Sequence, residues 1–330
     1  MQTKKMIAQQ LVSLEDIKAA RDIIKGRLHR TGMASSSQLN QQLGIQLYFK
    51  QEMFQKTGAF KVRGALNKLH HMSAAEKEKG VITISAGNHA QALAWGAAQY
   101  GVNATVVMPA TAVHSKVDAT KGYGGEVILT DQGFMDTCLA IQAERDLTLV
   151  HPFDDPYIIA GQGTMGLEIW EDVRNVDIAV IGIGGGGMIS GVSAALKALS
   201  PDVRIIGVEP EHSCAMYQSL QAGTPVTLDV NKTVADGLAA PFAGSHNLAH
   251  VQAFVDQVVK VTDDEIVDAM LDIMEWIKVL PEPAAAAPYA AIVNRKFEFE
   301  PGANVVCLLS GGNVDRDRLF DMMKGVGDKN

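Results

Sequence analysis

Short apolar runs alternate with longer amphipathic stretches along almost the whole chain. Four runs rich in β-branched residues, at 81–84, 104–108, 126–129 and 148–151, are separated by helical patterns near 91–100, 113–121 and 134–145. A second series of runs follows at 178–181, 204–208, 257–261 and 304–309. Continuous rather than alternating apolar character is what a strand covered on both faces requires. The alternation therefore predicts an α/β fold of mostly parallel sheet flanked by helices. Neither an internal repeat nor a low-complexity tract interrupts it. Asp263, Asp264 and Glu265 open a further helical pattern, as the positive end of a helix dipole favours. The proline-flanked stretch 283–288 reads as another helix start.

In such sheets ligands bind beyond the carboxyl ends of the strands, and the chain places its unusual residues there. The run 81–84 ends in Ser85-Ala86-Gly87-Asn88-His89, ahead of a helical stretch. Such a turn leaves backbone N–H groups for an anion; alternatively, Ser85 or Asn88 caps the helix. The run 178–181 ends in Gly182-Ile183-Gly184-Gly185-Gly186-Gly187-Met188. Successive glycines are costly in backbone entropy unless a tight conformation needs them. A phosphate cradled at a helix N-terminus supplies that need. The same segment also satisfies the dinucleotide fingerprint G-x-G-x-x-G, with Glu209 ending the next strand. The run 304–309 delivers Ser310 and a Gly311-Gly312-Asn313 turn, in which Asn313 is the candidate cap. Lys61, after the turn Thr57-Gly58-Ala59-Phe60, stands at the expected start of a helix. Apolar Phe60 and Val62, the charge of Arg63 and the helix N-terminus would all favour its neutral form. A neutral amine can add to an aldehyde; a solvated surface lysine is the plainer alternative.

In their order and number these segments resemble the fold type II pyridoxal-phosphate enzymes, and closely the serine/threonine dehydratase branch. The resemblance runs from about Arg30 to about Asn313. It includes His151-Pro152-Phe153-Asp154-Asp155, Ile159-Ala160-Gly161-Gln162-Gly163-Thr164, Val208-Glu209-Pro210, Lys232-Thr233-Val234-Ala235-Asp236-Gly237 and Pro281-Glu282-Pro283-Ala284. It implies two domains, each an open, mostly parallel sheet flanked by helices as in tryptophan synthase β, with pyridoxal 5'-phosphate in the cleft between them. The small domain would span 53–156, and the large one 1–52 with 157–330. Lys61 would be the catalytic residue and the covalent anchor of the cofactor, with Phe60 packed beside it. Asn88 would bond the phenolic oxygen, Gly184, Gly185, Gly186, Gly187 and Met188 would hold the phosphate, and Ser310 would face the pyridine nitrogen. The turn Ser85, Ala86, Gly87, Asn88 and His89 would take the substrate carboxylate. A neutral serine makes the ring a weaker electron sink than a carboxylate partner would, which favours elimination over transamination. The implied activity is loss of water from a small-molecule β-hydroxy amino acid, L-threonine and also L-serine, giving a 2-oxo acid and ammonia. A homodimer is expected on the same grounds, and no regulatory domain.

Three positions depart from the family pattern. Ala59 stands where a serine is usual. Ala86 stands where serine racemases carry a second serine as a base, and a methyl cannot move protons. Ala215 stands where some relatives complete a divalent-cation site begun at the position of Glu209. No metal is therefore expected, and Glu209 reads as a strand-end carboxylate bonded to a loop or solvent. Ala59, Phe153 and Ala239-Ala240-Pro241-Phe242 are candidate walls of the side-chain pocket. Other substrates remain open, among them 3-hydroxyaspartate or an amino acid of hydroxyectoine use. So do a serine racemase, a nicotinamide-dependent oxidoreductase built on Gly182 to Gly187, and a catalytically silent binding protein.

Composition narrows the setting. A chain of 330 residues has room for about two domains. A net charge of −8, with no basic run longer than two residues, argues against nucleic acid and anionic membranes as partners. No apolar run approaches the ~20 residues that span a bilayer, and residues 1–10 hold no apolar signal core. Cys138, Cys214 and Cys307, odd in number and far apart, make no disulfide framework. A reducing cytoplasm is the expected location. His70-His71 lacks the i, i+4 spacing of a helical metal site and reads as a helix-end pair.

Overall fold

The computed structural model describes residues 11–327, so the stretch 1–10, expected to hold no signal core, lies outside the described residues. Two sheets carry the fold. The larger contains β1 (Met33–Ala34), β2 (Gln46–Gln51), β7 (Ile178–Gly182), β8 (Arg204–Pro210), β9 (Gln257–Val261) and β10 (Asn304–Leu309), in the order β1-β2-β10-β7-β8-β9. Every neighbouring pair is parallel except β1 with β2. The smaller sheet is parallel throughout, in the order β5-β4-β3-β6, from β3 (Val81–Ile84), β4 (Ala104–Pro109), β5 (Glu126–Thr130) and β6 (Thr148–Leu149). Each apolar run of the sequence becomes a strand. In the run 148–151 the strand covers only the first two residues, and the Val150 N–H still donates to the Ile82 carbonyl at 2.9 Å ahead of the turn at Pro152.

β2, like the two-residue β1, is a strand that the apolar pattern does not announce. It pairs with β10 along its whole length, inside the larger sheet. Its Lys50 interrupts the apolar run, yet Lys50 is completely buried. Elsewhere the central strands are apolar on both faces. Val180, Val208 and Val305 pack with Phe49 and Tyr289 on one side of the large sheet; Ile181, Val306 and Leu308 pack with Val192 and Leu196 on the other. Full burial of each such side chain contributes about 1.5–3 kcal/mol relative to exposure. Among the described residues no helix is long and apolar enough to cross a membrane.

Three helices set the spacing of the cleft. Pro156–Asp172 lies between Val62–His71 and Gly187–Leu199. A Cβ on Gly161 would stand 2.6 Å from the Cα of Gly64, and one on Gly191 would stand 2.1 Å from the carbonyl oxygen of Ile159. Main chain therefore touches main chain at both contacts, which only glycine permits.

A buried charge network joins the first two of these helices to β2. Arg63 donates through Nε and Nη2 to Glu52, at 2.8 Å each, and through Nη1 and Nη2 to Glu168, at 2.6 and 2.9 Å. Lys50 Nζ donates to Glu168 at 2.6 Å and to the carbonyl of Thr31 at 2.7 Å. Burial alone would push the Glu168 carboxyl up, but Arg63 and Lys50 hold it below the usual carboxylate range. Two forked carboxylate contacts on one guanidinium make the strong form of this interaction. Arg63→Ala should leave Glu52 without a cation in the interior, and Glu168 with Lys50 alone, and cost about 3–5 kcal/mol of stability, read by urea unfolding of the cofactor-free protein. Loss of the exposed Lys18–Glu15 pair through Glu15→Ala should change the same curve little.

Candidate active site

Lys61 is delivered by a segment stitched to the end of β10. Ala59 bridges Gly311 in antiparallel fashion, the Phe60 N–H donates to the Ser310 carbonyl at 3.0 Å, and the Gly312 N–H donates to the Gly58 carbonyl at 3.0 Å. The helix Val62–His71 then begins, with Lys61 as its N-cap. Its Nζ donates to the carbonyl of Pro152 at 2.9 Å and lies 5.2 Å from the centre of the Phe60 ring. Burial lowers the Lys61 pKa to about 8, against the opposing pull of the Glu282 charge. Here the structure corrects the sequence reading: Arg63 is no cause of the shift, because its guanidinium turns away into Glu52 and Glu168.

The amine opens on a cavity of about 580 Å³ between the two sheets. Phe60, the turn Ser85 to His89, the loop Gly184 to Met188 and Ser310 all line it, so every site residue expected from sequence borders one space. They arrive from the carboxyl ends of β3, β7 and β10, as ligands do in parallel sheets. Phe153 and Ala239 to Phe242 also line the cavity. Ala59 does not: it is fully buried in its bridge to Gly311.

Two of the helices that begin at this space open from glycine, without a side-chain cap. The helix Asn88–Ala98 has Gly87 as N-cap and no side-chain cap bond; Gly187–Leu199 has Gly186, at φ 103, and none either. Elsewhere Ser13, Ser73 and Thr262 close capping boxes on their helices. The alternative roles as caps thus fail for Ser85, which accepts from the Gly87 N–H at 3.2 Å, and for Asn88, which donates to Glu282. Unspent N–H groups at a helix N-terminus suit an anion, and these two glycine-opened ends leave room for one. A Cβ on Gly185 would fall 2.4 Å from the Phe153 ring, and one on Gly186 would fall 2.7 Å from Asn247. The Ser310 hydroxyl has no protein partner among the described residues and is not sealed from the cavity. A buried amine with lowered pKa, two anion cradles and a neutral hydroxyl fit a phosphorylated aldehyde with a ring nitrogen.

Sequence reasoning gave no role to Glu282, which is buried beside Asn88. Both its carboxylate oxygens accept from Asn88 Nδ2, at 2.8 and 3.0 Å, and its own N–H donates to the Gly311 carbonyl. Burial raises its pKa to about 7. Asn313, the candidate cap, instead donates to the Asn88 side-chain oxygen and to the Thr57 carbonyl, each at 2.8 Å. The Asn88 amide is therefore oriented from both ends. The segment Pro281-Glu282-Pro283 was visible in the sequence, but nothing local in it names a partner so far along the chain. His89 is neutral, since burial pushes it down to about 3, and its Nε2 lies 3.3 Å from the Val150 carbonyl. Glu209 stands away from the cavity. Its two oxygens accept from the N–H groups of Met216 and Tyr217, at 2.9 and 2.8 Å, so it caps the helix Ala215–Ala222.

The chain is 44% identical over 308 residues to an L-threonine ammonia-lyase of Thermotoga maritima, covering 92% of this chain and 76% of that protein. It is 42% identical over 320 residues to a catabolic L-threonine dehydratase of Staphylococcus aureus, covering 95% and 92%. Among solved structures, a serine racemase from maize superposes with a TM-score of 0.89 at 38% identity, covering 96% of this chain and 98% of that one. A processed threonine deaminase isoform of Solanum lycopersicum gives a TM-score of 0.89 at 33% identity, covering 98% and 94%. The sequence profile described as pyridoxal-phosphate dependent enzyme matches residues 24–311. This chain belongs to that family, and pyridoxal phosphate is its cofactor.

Proposed function

We propose that this protein removes water from a β-hydroxy amino acid, L-threonine first and L-serine second, and so releases a 2-oxo acid and ammonia. The observation that carries the reading is the buried amine of Lys61 between two uncapped helix ends. Bound pyridoxal 5'-phosphate supplies an aldehyde for the substrate amine and a conjugated ring that spreads charge from the substrate Cα. The chain supplies the remainder. Gly184 to Met188 would hold the phosphate on backbone N–H groups, Phe60 would pack beside the ring, Asn88 would orient it, and Ser310 would present a neutral hydroxyl to its nitrogen. The turn 85–89 takes the substrate carboxylate on the second helix N-terminus. Lys61, in its neutral form, takes the Cα proton. The hydroxyl then departs from Cβ as water, and hydrolysis of the released enamine gives the 2-oxo acid and ammonia.

Two features bear on the alternatives. At position 86 only a methyl faces the cavity, so nothing there can deliver a proton to the opposite face, and elimination is favoured over racemisation. The wall around Phe153, Pro241 and Phe242 is apolar, and Lys116 at the mouth is already paired with Asp236. Such a pocket suits the methyl group of threonine better than a second carboxylate. We also assign 53–156 to a small domain and 1–52 with 157–330 to a large one, and infer a cytoplasmic homodimer from the likeness to the dehydratase branch.

Lys61→Ala should cut 2-oxobutanoate release from L-threonine by at least about 10³-fold, measured with purified holoenzyme; an unchanged rate would refute the assignment. Because the folded pKa of Lys61 is lowered from 10.5 to about 8, the amine is mostly charged below that pH and mostly neutral above it. Capture of pyridoxal 5'-phosphate by the cofactor-free protein, trapped with borohydride, should therefore rise about tenfold per pH unit below 8 and level off above it. Gly185→Ala should weaken cofactor binding by about tenfold or more in a spectroscopic titration, because the new methyl displaces the Phe153 ring from the loop.

A further inference from the structure

The loop that receives the Lys61 amine also carries an imidazole with no assigned task. His151 precedes Pro152, whose carbonyl accepts from Lys61 Nζ. Its ring stands perpendicular to Phe153, with centroids 4.6 Å apart, and 6.3 Å from Phe242, and all three rings line the cavity. Nδ1 accepts from the backbone N–H of Asp154 at 2.8 Å and of Phe153 at 3.3 Å. An atom that accepts two N–H bonds cannot carry a proton, so the hydrogen of the neutral ring sits on Nε2. That nitrogen has no protein partner among the described residues and is not sealed off. Burial, the leading influence, also holds the ring below its ordinary pKa.

A substrate held by its carboxylate at the turn 85–89 and by its amine near Lys61 directs its side chain to the remaining wall. That wall is built from Pro152, Phe153, Ala239, Ala240, Pro241 and Phe242, none of which has a side-chain donor. His151, whose ring meets Phe153 and Phe242 of that wall, brings an Nε2–H donor beside it. We propose that His151 is a catalytic residue whose Nε2–H hydrogen-bonds the β-oxygen of the substrate and stabilises that oxygen as it departs. The inference rests on the lyase reading above.

The imidazole keeps its proton throughout. The Cα–H and Cβ–O bonds break, a Cα–Cβ double bond forms, and the Cα hydrogen leaves with the hydroxyl as water by way of the Lys61 amine. A fixed donor at the site of developing negative charge is worth about 10²–10³ in rate.

The discriminating pair is L-serine and β-chloro-L-alanine, which share a skeleton and differ in leaving group. Chloride departs as a stable anion and needs no donor. His151→Asn keeps a side-chain oxygen for the Phe153 and Asp154 N–H groups, and so keeps the turn, but its shorter amide stops short of the position that Nε2 occupies. Relative to wild type, the variant should lose about 100-fold on L-serine and L-threonine and stay nearly unchanged on β-chloro-L-alanine. The ratio of the two rates does not depend on how much of a preparation is folded, so a less stable variant still decides. In histidine 15N spectra of the wild-type holoenzyme at neutral pH, His151 should show the Nε2–H form. An equal loss on both leaving groups, no loss on either, or an Nδ1–H ring overturns this inference alone. A wild-type protein that releases no 2-oxo acid from any of these compounds overturns the lyase reading, and this inference with it.

Discussion

The guanidinium of Arg63, forked between Glu52 and Glu168 and completely buried, is the constraint on which the site's geometry depends. Removing four charges from water is expensive, and the arrangement holds only while every partner is present. Lys50 and Arg63 balance Glu52 and Glu168, so the cluster is neutral as a whole. It therefore projects little field onto Lys61, two residues away, and burial is left to set the state of that amine. The helix that opens on Lys61 cannot rotate without breaking a forked contact. Structure and reactivity are thus kept apart: a charge cluster fixes position, and an apolar surround fixes protonation.

The cavity divides its work between the two sheets. The small sheet ends in the turn at 85–89, and the large sheet ends in the glycine loop and in Ser310. Lys61 reaches the space on a segment that is bonded to the end of β10 although it lies far away in sequence. Glu282 and Asn313 extend that stitching to Asn88. Groups from four distant stretches therefore meet through backbone bonds and a short chain of side-chain amides, with few long flexible side chains to order.

Much of this was legible in the sequence, because continuous apolar runs mark strands covered on both faces and glycine clusters mark places where backbone meets an anion. What escaped had one physical cause, the burial of polar groups by partners distant in the chain. Lys50 disguised β2, since a lysine inside an apolar run reads as a break until Glu168 is seen beside it. Arg63 looked like a neighbour that would depress the Lys61 pKa, when its charge was already spent. Glu282 carried no local sign of its bond to Asn88. The reading of Glu209 as a strand-end carboxylate was sound, and the loop it bonds turned out to be the opening of a helix.

The glycine contacts at 64–161 and 159–191 give the enzyme a ruler made of main chain. The helix that begins at the amine and the helix that begins at the glycine loop are both gauged against the same central helix, without intervening side chains. Rotamer fluctuations cannot stretch that distance, and no substitution can shorten it. Changes of substrate must then arise at the aromatic wall, where side chains can be exchanged, while the span from amine to anion cradle is inherited intact.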